Sequence, residues 1–373
     1  MQIKNNRYKK VAAKTLSLIC FMLTILCFSQ THKLPSDKEI IKQMISVADY
    51  QLSQKWSEKK HPNGNRIMGP NTWEAGAFYP GILEVYRVTK NKKYLDSVKS
   101  IAKLNNYRGG DQLRNGDHQA IFQSYLELYE FDKNPAYLTA AKNTLDSIMA
   151  KPKNGAIEYS WCDLLFMAPP IWTRYAAITK QAKYLDFQDK IYWEAVENLQ
   201  DTSTHLFYRD DRFKTLQSVN GKPIFWSRGN GWVIGGLARL LEYMPENYPN
   251  RKRYENLLFQ MAVALKSLQQ NDGFWKSNLL EPSLYPMGET SGTAFFCYGI
   301  AWGINHKILS KEEYLPVVQK SWDALNSVAV HPNGKLGFVQ PGGDRPYLSD
   351  YEMNNWYSAG AFLMAGKQIL KLN

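Results

Sequence analysis

The sequence predicts an all-α protein with the architecture of an (α/α)6 barrel. Two observations lead to this prediction: about twelve segments with helical periodicity, and a regular alternation between two kinds of segment. One kind is apolar on a single face, as at Ile41, Met44, Ile45 and Ala48. The other kind, such as residues 292–299, is rich in Gly, Ala and aromatic residues on almost every side. Helices that are apolar all round are buried and one-sided helices face water, so six of each describe an inner ring inside an outer ring.

Short stretches with Pro, Gly and Asn separate these segments. The helices are expected, to within roughly 2–4 residues at each end, at 37–56, 72–88, 92–104, 117–131, 134–150, 160–180, 183–200, 229–244, 251–270, 290–307, 311–328 and 353–370. The odd members of this series are the outer helices. A tyrosine recurs near the start of several outer helices, as at Tyr94, Tyr137 and Tyr184, and we expect it to pack the turn.

Two stretches do not fit the helical pattern. Between about 201 and 228, alternating residues predict a small hairpin or lid. The glycine-rich residues 332–346 predict a loop over one end of the barrel.

The first 29 residues have the pattern of a secretory signal peptide. Five basic residues precede an apolar run from Leu16 to Phe28, which is short for a membrane span, and residues 27–29 suit cleavage before Gln30. We therefore expect residues 30–373 to form a single domain, exported to the periplasm or secreted and without a membrane anchor after cleavage.

Composition excludes several classes of function. The formal charge of the whole chain is +12, and it falls to +7 when the leader, with its five basic residues, is removed. The basic residues are scattered, which argues against a nucleic-acid partner and is consistent with an anionic small ligand. Only Cys162 and Cys297 follow the leader, too few for a disulfide framework. Metal-ligand spacings, a dinucleotide fingerprint and a P-loop are absent, so we expect neither metal nor cofactor.

Asp163 is the residue around which the site is predicted. It lies among Trp161, Leu164, Leu165 and Phe166. Burial among apolar side chains raises the pKa of a carboxyl group and favours the protonated form that a general acid needs near neutral pH. An aspartate at a helix start is equally typical of an N-cap, so both roles remain open at this point.

Other polar and aromatic residues also stand at the starts of inner helices. If all inner helices run in the same direction, these starts meet at one mouth, where helix N-termini favour an anion and tryptophans stack on sugar rings. The predicted site is Asp163 and Asp117 for proton chemistry, with Trp73, His118, Arg228, Trp232 and Trp356, and His205 from the lid, for substrate binding.

Each of these residues has a structural alternative. Asp117 is also a typical N-cap, and the two histidines are also typical structural residues. Arg228 is placed to pair with Asp344 or Asp350, and the tryptophans are of a kind that most helical proteins bury in the core.

Three motifs, at 161–170, 226–232 and 289–294, carry a family resemblance. They resemble the signature blocks of glycoside hydrolase family 105, the unsaturated rhamnogalacturonyl hydrolases, and of the related family 88 of unsaturated glucuronyl hydrolases. The resemblance covers nearly all of the chain after the leader and implies an (α/α)6 barrel. It implies that Asp163 is the catalytic acid and base and that Arg228 and Trp232 contact the substrate. Trp73, Asp117, His118 and His205 match less tightly.

The resemblance also implies a reaction. The 4,5-unsaturated uronic acid at the non-reducing end of a lyase-generated, rhamnose-containing acidic oligosaccharide would be hydrated at its C4=C5 bond. The aspartic acid protonates C4, water attacks C5, and the resulting hemiketal opens to release the aglycone. Rhamnogalacturonan and ulvan are both candidate sources, and the basic balance of the chain slightly favours a sulfated substrate. Two alternatives are an inverting glycosidase acting on saturated glycans through two carboxylates, and a non-catalytic oligosaccharide-binding protein.

Overall fold

The computed structural model describes residues 34–56 and 69–373. The leader predicted at residues 1–29 lies outside the described residues and stays a prediction. Leu34–Asn373 forms one compact unit. None of the helices in the described ranges is both long and apolar enough to cross a membrane.

All twelve predicted helical segments are found. The outer helices are α1 Asp37–Ser53, α3 Lys92–Leu104, α6 Ala136–Ala150, α10 Ala182–Leu199, α12 Arg251–Leu268 and α14 Lys311–Ala324. The inner helices are α2 Trp73–Thr89, α5 Phe122–Asp132, α9 Pro169–Thr179, α11 Ser227–Leu241, α13 Thr290–Asn305 and α15 Trp356–Ile369. Each inner helix packs against the next, and α15 packs against α2, which closes the ring. The predicted (α/α)6 barrel is therefore confirmed.

Two inner segments are broken where the sequence predicted one helix. A single-turn helix, α4 (Gly116–Gln119), precedes α5, and another, α8 (Leu164–Met167), precedes α9. Pro169 and Pro170 cause the second break, because proline ends one helix and is tolerated only in the first turn of the next. A further single turn, α7 (Gly155–Glu158), lies in the connection between α6 and α8. The broken segments place short helix starts beside the site.

The inner helices approach one another closely because their contacts contain glycine. A Cβ atom on Gly81 of α2 would lie 2.6 Å from the carbonyl oxygen of Gly360 on α15. A Cβ atom on Gly360 would in turn overlap the carbonyl oxygen of Ala77. This crossing therefore requires glycine on both helices, which explains the glycine-rich inner segments.

The tyrosines that recur near the starts of outer helices have a second role besides packing. Three of them are buried and donate a hydrogen bond to an aspartate on the preceding outer helix. The pairs are Tyr94 to Asp49 at 2.9 Å, Tyr184 to Asp146 at 2.6 Å and Tyr254 to Asp189 at 2.9 Å. The bonds link consecutive helices of the outer ring.

The hairpin predicted between 201 and 228 is reduced to isolated antiparallel bridges, Gln200 with Phe207 and Gln217 with Pro223. A third bridge joins Asp210 to Trp161, next to the predicted acid. The segment therefore lies against the site without forming a strand ladder, and the glycine-rich loop contributes to the same region.

Candidate active site

A cavity of about 540 Å³ lies where the inner-helix starts converge. Five of the predicted site residues line it: Trp73, Asp117, Asp163, Arg228 and Trp232. The remaining lining residues are Trp161, Met167, Arg209, Gly342, Gly343, Asp344, Arg345 and Tyr347. The barrel thus brings together carboxylates, guanidinium groups and indole rings that are far apart in the sequence.

Asp163 has the environment expected of a general acid. It occupies the N-cap position of α8, but its side chain makes no capping hydrogen bond, so the N-cap alternative is not supported. The residue is 8% exposed. Burial raises the pKa of its carboxyl group, and the carboxylate of Asp117 raises it as well, against the opposing effects of Arg209 and Arg228. The net result is a carboxyl group that keeps its proton to a higher pH than an ordinary aspartic acid.

Asp117 faces the same cavity from α4. The cap of this short helix is Asn115, whose side chain accepts a 3.0 Å hydrogen bond from the backbone N–H of Asp117. The capping role considered for Asp117 therefore belongs to Asn115. Asp117 is 8% exposed and supplies a second carboxylate beside Asp163.

Arg228 is held by the glycine-rich loop. Its Nη1 donates 2.9 Å hydrogen bonds to the carbonyl of Gln340 and to the hydroxyl of Tyr357, and its Nη2 donates at 2.8 Å to the carbonyl of Pro341. The guanidinium is 1% exposed. These partners are carbonyls and a hydroxyl rather than the carboxylates considered from the sequence. Arg228 thus anchors the loop while its charge remains at the cavity wall.

The three predicted tryptophans differ in their placement. Trp73 is partly exposed and stacks on Tyr357 at 5.1 Å, with its ring at the cavity. Trp232 is almost fully buried against Phe295, at 4.4 Å, and meets Trp73 edge-on. Trp356 stacks on Trp56, with the ring centroids 3.9 Å apart, and does not line the cavity. Trp73 is therefore the predicted ring best placed to contact a sugar.

Neither predicted histidine lines this cavity. His118 follows Asp117 on α4, and because consecutive helix residues point about 100° apart, it faces a second cavity of about 410 Å³. There its Nδ1 accepts a 3.3 Å hydrogen bond from the backbone N–H of Gln112. His205 lies in a turn with a left-handed φ of 57°, and its N–H donates to the carbonyl of Asp201.

Arg209 is the main site residue that the sequence did not single out. Its Nε lies 3.6 Å from Oδ2 of Asp163, its guanidinium lies 5.1 Å from the Trp161 ring, and its Nη1 donates at 2.7 Å to Asp210. The carbonyl of Arg209 also accepts a 2.9 Å hydrogen bond from the N–H of Cys162. The irregular segment is thus fixed against the acid-bearing segment, with a cation beside the acid.

A chain of ion pairs continues from Arg209 along the cavity wall. Arg212 donates at 2.7 Å to Asp210 and at 2.9 Å to Asp344 of the glycine-rich loop. Asp344 also accepts from Arg345, and this hydrogen bond lowers the pKa of the Asp344 carboxyl group well below its usual range. Arg345 is half exposed and lines the cavity. These pairs fix the loop relative to the lid segment.

A nucleophilic role for Cys162 has little support. Cys162 is fully buried, and burial together with the neighbouring Asp163 raises the pKa of its thiol well above the ordinary value. A thiolate nucleophile is thereby disfavoured. The described part of the chain contains no group of three or more His, Cys, Asp or Glu side chains that could hold a metal ion.

Comparison with known proteins gives consistent results. Residues 35–373 match the family described as Glycosyl Hydrolase Family 88. The chain is 40% identical over 353 residues to the unsaturated 3S-rhamnoglycuronyl hydrolase of Formosa agariphila, a match that covers 90% of this chain and 91% of that protein. A solved glycosyl hydrolase family 88 structure from Bacteroides vulgatus has a TM-score of 0.84 at 28% identity, covering 91% of this chain and all of the other. A possible family 105 member from Salmonella enterica shares the fold, with a TM-score of 0.77 at 20% identity over 92% of this chain and 97% of that one.

Proposed function

The chain belongs to Glycosyl Hydrolase Family 88, and on that basis we propose that it removes a 4,5-unsaturated uronic acid from the non-reducing end of a lyase-generated oligosaccharide. The glycosidase class and the family resemblance predicted from the three motifs are confirmed. The observation that carries the proposed reaction is the buried Asp163 carboxyl group, whose pKa is raised chiefly by burial and which lies in a cavity that also contains guanidinium groups and indole rings.

We propose that the reaction is a hydration. Asp163 gives its proton to C4, and water adds to C5 while its own proton goes to the Asp163 carboxylate. The C5 hemiketal opens by cleavage of the ring C5–O bond, which leaves a ketone at C5 and a hemiacetal at C1. The C1 hemiacetal then collapses to an aldehyde by cleavage of its bond to the aglycone oxygen, which takes up the hemiacetal proton, so the aglycone leaves as a free alcohol. Arg209, 3.6 Å from Oδ2, is placed to stabilise the carboxylate formed after the first proton transfer.

The cavity has two separate means of holding the uronate. Trp73 offers a partly exposed ring for the half-planar unsaturated sugar. Among the three arginines that line the cavity, Arg345 is the most exposed, and it is placed to bind the sugar carboxylate. Arg228 already donates hydrogen bonds to the loop. We therefore assign Arg228 to holding the loop and contributing positive charge, and Arg209 and Arg345 to the anionic groups of the reaction.

Two observations support a proposal for the substrate class: the name of a relative and the acidic ligand expected for this site. The relative from Formosa agariphila is named for an unsaturated rhamnoglycuronyl substrate. We propose that this chain likewise acts on a uronate linked to rhamnose, in an acidic oligosaccharide of the rhamnogalacturonan or ulvan type.

A second candidate, an inverting hydrolase of saturated glycans, is favoured by one observation, the presence of Asp117 and Asp163 in the same cavity. The test compares a lyase-generated unsaturated disaccharide with its saturated counterpart. The ultraviolet absorbance of the C4=C5 bond should fall as the unsaturated substrate is consumed, while chromatography should show no cleavage of the saturated one. Equal cleavage of both would refute the hydration mechanism.

We further propose that the protein is exported, on the basis of the leader pattern at residues 1–29. N-terminal analysis of the protein recovered from the periplasm or the medium should give Gln30 as the first residue. A protein that retains its leader inside the cell would contradict this.

A further inference from the structure

A further depression, of about 520 Å³, adjoins the active-site cavity at Trp161. Trp161 lines both. Two short stretches of chain contribute neighbouring residues to both linings. In the first stretch, Asp117 lines the active-site cavity and Asn115 lines the depression. In the second, Asp163 lines the cavity and Leu164 lines the depression. The depression therefore begins where the active-site cavity ends, and we call it the outer groove.

The lining of the outer groove combines apolar surface with polar groups. Leu113 and Ile157 are 52% and 62% exposed, so the groove presents aliphatic surface to solvent. Arg114 and Lys153 lie in the same lining. Arg114 is paired with Glu158, a buried carboxylate, so its guanidinium is held in place. Apolar platforms beside fixed polar groups suit the two kinds of surface that a sugar ring presents.

The exposure of Ile157 is imposed by the fold. It lies on α7, whose first residue, Gly155, donates a 2.6 Å hydrogen bond to Glu194 of α10. A Cβ atom on Gly155 would overlap the carbonyl oxygen of Ile191, so this short helix is seated tightly on α10. Asn154 caps it by accepting a 2.9 Å hydrogen bond from the N–H of Ala156. Ile157 is thus presented to the groove by an anchored turn.

The outer groove adjoins another cavity besides the active site. Asp111 and Leu113 line both the groove and the cavity that contains His118. A linear ligand that leaves the active-site cavity past Trp161 can therefore follow the outer groove and then the cavity that contains His118.

We propose that the outer groove binds the sugars of the acidic oligosaccharide that lie beyond the one bonded to the unsaturated uronate. This inference rests on the proposed function. Trp161, Leu113 and Ile157 receive the apolar faces of these sugars, and Lys153 and Arg114 meet their acidic or hydroxyl groups. The enzyme consequently favours chains longer than a disaccharide.

The test uses a groove variant, Lys153→Ala with Ile157→Ala, and a matched control, Lys252→Ala with Val263→Ala. The control residues are an exposed lysine and a half-exposed aliphatic residue on α12, and neither lines the groove. The kcat/KM of each protein is measured on an unsaturated disaccharide and on the unsaturated tetrasaccharide of the same polymer. Affinity for both sugars is measured by calorimetry with the same pairs of substitutions placed in an Asp163→Asn background.

We expect the groove variant to lose roughly tenfold in kcat/KM and in affinity for the tetrasaccharide, the scale of one lost aliphatic contact and one charged contact. Its values for the disaccharide should stay within about twofold of the parent. The control should match the parent on both sugars. Equal losses on both sugars, or no loss on the tetrasaccharide, would overturn the inference.

The calorimetric measurement separates this inference from the proposed reaction. A parent enzyme that fails to consume either unsaturated sugar refutes the hydration reaction. The chain-length effect on affinity still supports or refutes the groove.

Discussion

Replacing Asp163 by asparagine tests the assignment of the acid most directly. Asp163 is 8% exposed and its side chain makes no capping hydrogen bond, so the near-isosteric amide should keep the shape of the site. The amide cannot give a proton to C4. We expect kcat to fall by about 10²–10⁴-fold, or about 2.7–5.4 kcal/mol in activation free energy. The assay is the loss of ultraviolet absorbance of an unsaturated disaccharide.

The same substitution should also change how the stability of the fold depends on pH. The pKa of Asp163 is raised in the folded protein, chiefly by burial, so the native state binds this proton more tightly than the unfolded chain does. Ionisation of Asp163 therefore destabilises the fold progressively as the pH rises from the unfolded pKa, about 3.9, to the folded one. Asparagine cannot ionise. In denaturant titrations at pH 7–8 the variant should be at least as stable as the parent, and any gain should vanish below about pH 4.

Asp189→Asn is the matched control. Asp189 is 9% exposed, but it lies on outer helix α10 and accepts hydrogen bonds from Tyr254 at 2.9 Å and from Asn250 at 2.6 Å. This variant should lose about 1–3 kcal/mol of stability and keep its kcat. Turnover of Asp163→Asn within about tenfold of the parent, or a destabilisation as large as that of the control, would contradict the role of Asp163 as the acid.

The remaining predictions concern groups around the acid and the barrel itself. Arg209→Gln removes a positive charge that lowers the pKa of Asp163. The alkaline limb of the pH profile of kcat/KM, where activity falls as Asp163 loses its proton, should therefore move to higher pH. A limb that does not move would show that Arg209 does not act on the acid. Arg228→Ala leaves buried loop carbonyls such as that of Gln340 without their donor, so denaturant titration should show a loss of about 2–4 kcal/mol with a raised KM, and Arg228→Lys should recover only part. Unchanged stability would contradict the anchoring role. Gly360→Ala would bring a Cβ atom onto the carbonyl of Ala77 and should cost about 1–3 kcal/mol in thermal unfolding, whereas a neutral effect would show that the α2–α15 crossing can adjust.

The barrel was predictable because burial leaves a periodic trace in the sequence. Segments apolar on all sides alternate with one-sided segments, and this pattern needs only local residues to read. The break between α8 and α9 was also present in the sequence, as Pro169 and Pro170, although the segment was predicted as one helix. The segment between 201 and 228 was predicted as a small hairpin or lid, and it pairs antiparallel only at isolated positions. Alternation over four residues does not distinguish a strand ladder from extended chain that pairs in this way.

The site was predictable only as far as helix starts determine it. Converging starts correctly placed Asp163, Asp117 and Trp73 in one cavity. The position of a residue in a predicted helix shows at which end of the barrel it lies. The direction in which its side chain points depends on how the helix packs, and the side chain of His118 points into the second cavity. Trp356 also lies at the start of an inner helix, but its ring stacks on Trp56 and not against the cavity.

Arg209 could not be recognised from the sequence, because it lies in a segment without helical periodicity. Its position depends on tertiary contacts, the bridge between Asp210 and Trp161 and the hydrogen bond from Cys162 to the Arg209 carbonyl. Arg345 is a similar case, since ion pairs that run from Asp210 through Arg212 and Asp344 hold its loop. Contacts of this kind join positions far apart in the chain and leave no local pattern.

These arginines expose a conflict that the site has to resolve. An anionic substrate requires positive charge in the cavity, but positive charge stabilises the ionised form of Asp163 and so opposes its role as an acid. Arg209 already donates to Asp210 at 2.7 Å, and Arg228 already donates to loop carbonyls and a hydroxyl. Their charges are partly compensated before they act on Asp163, so the effect of burial remains the larger one. Fixed partners for the cations therefore allow one cavity to hold an anion while the pKa of Asp163 stays raised.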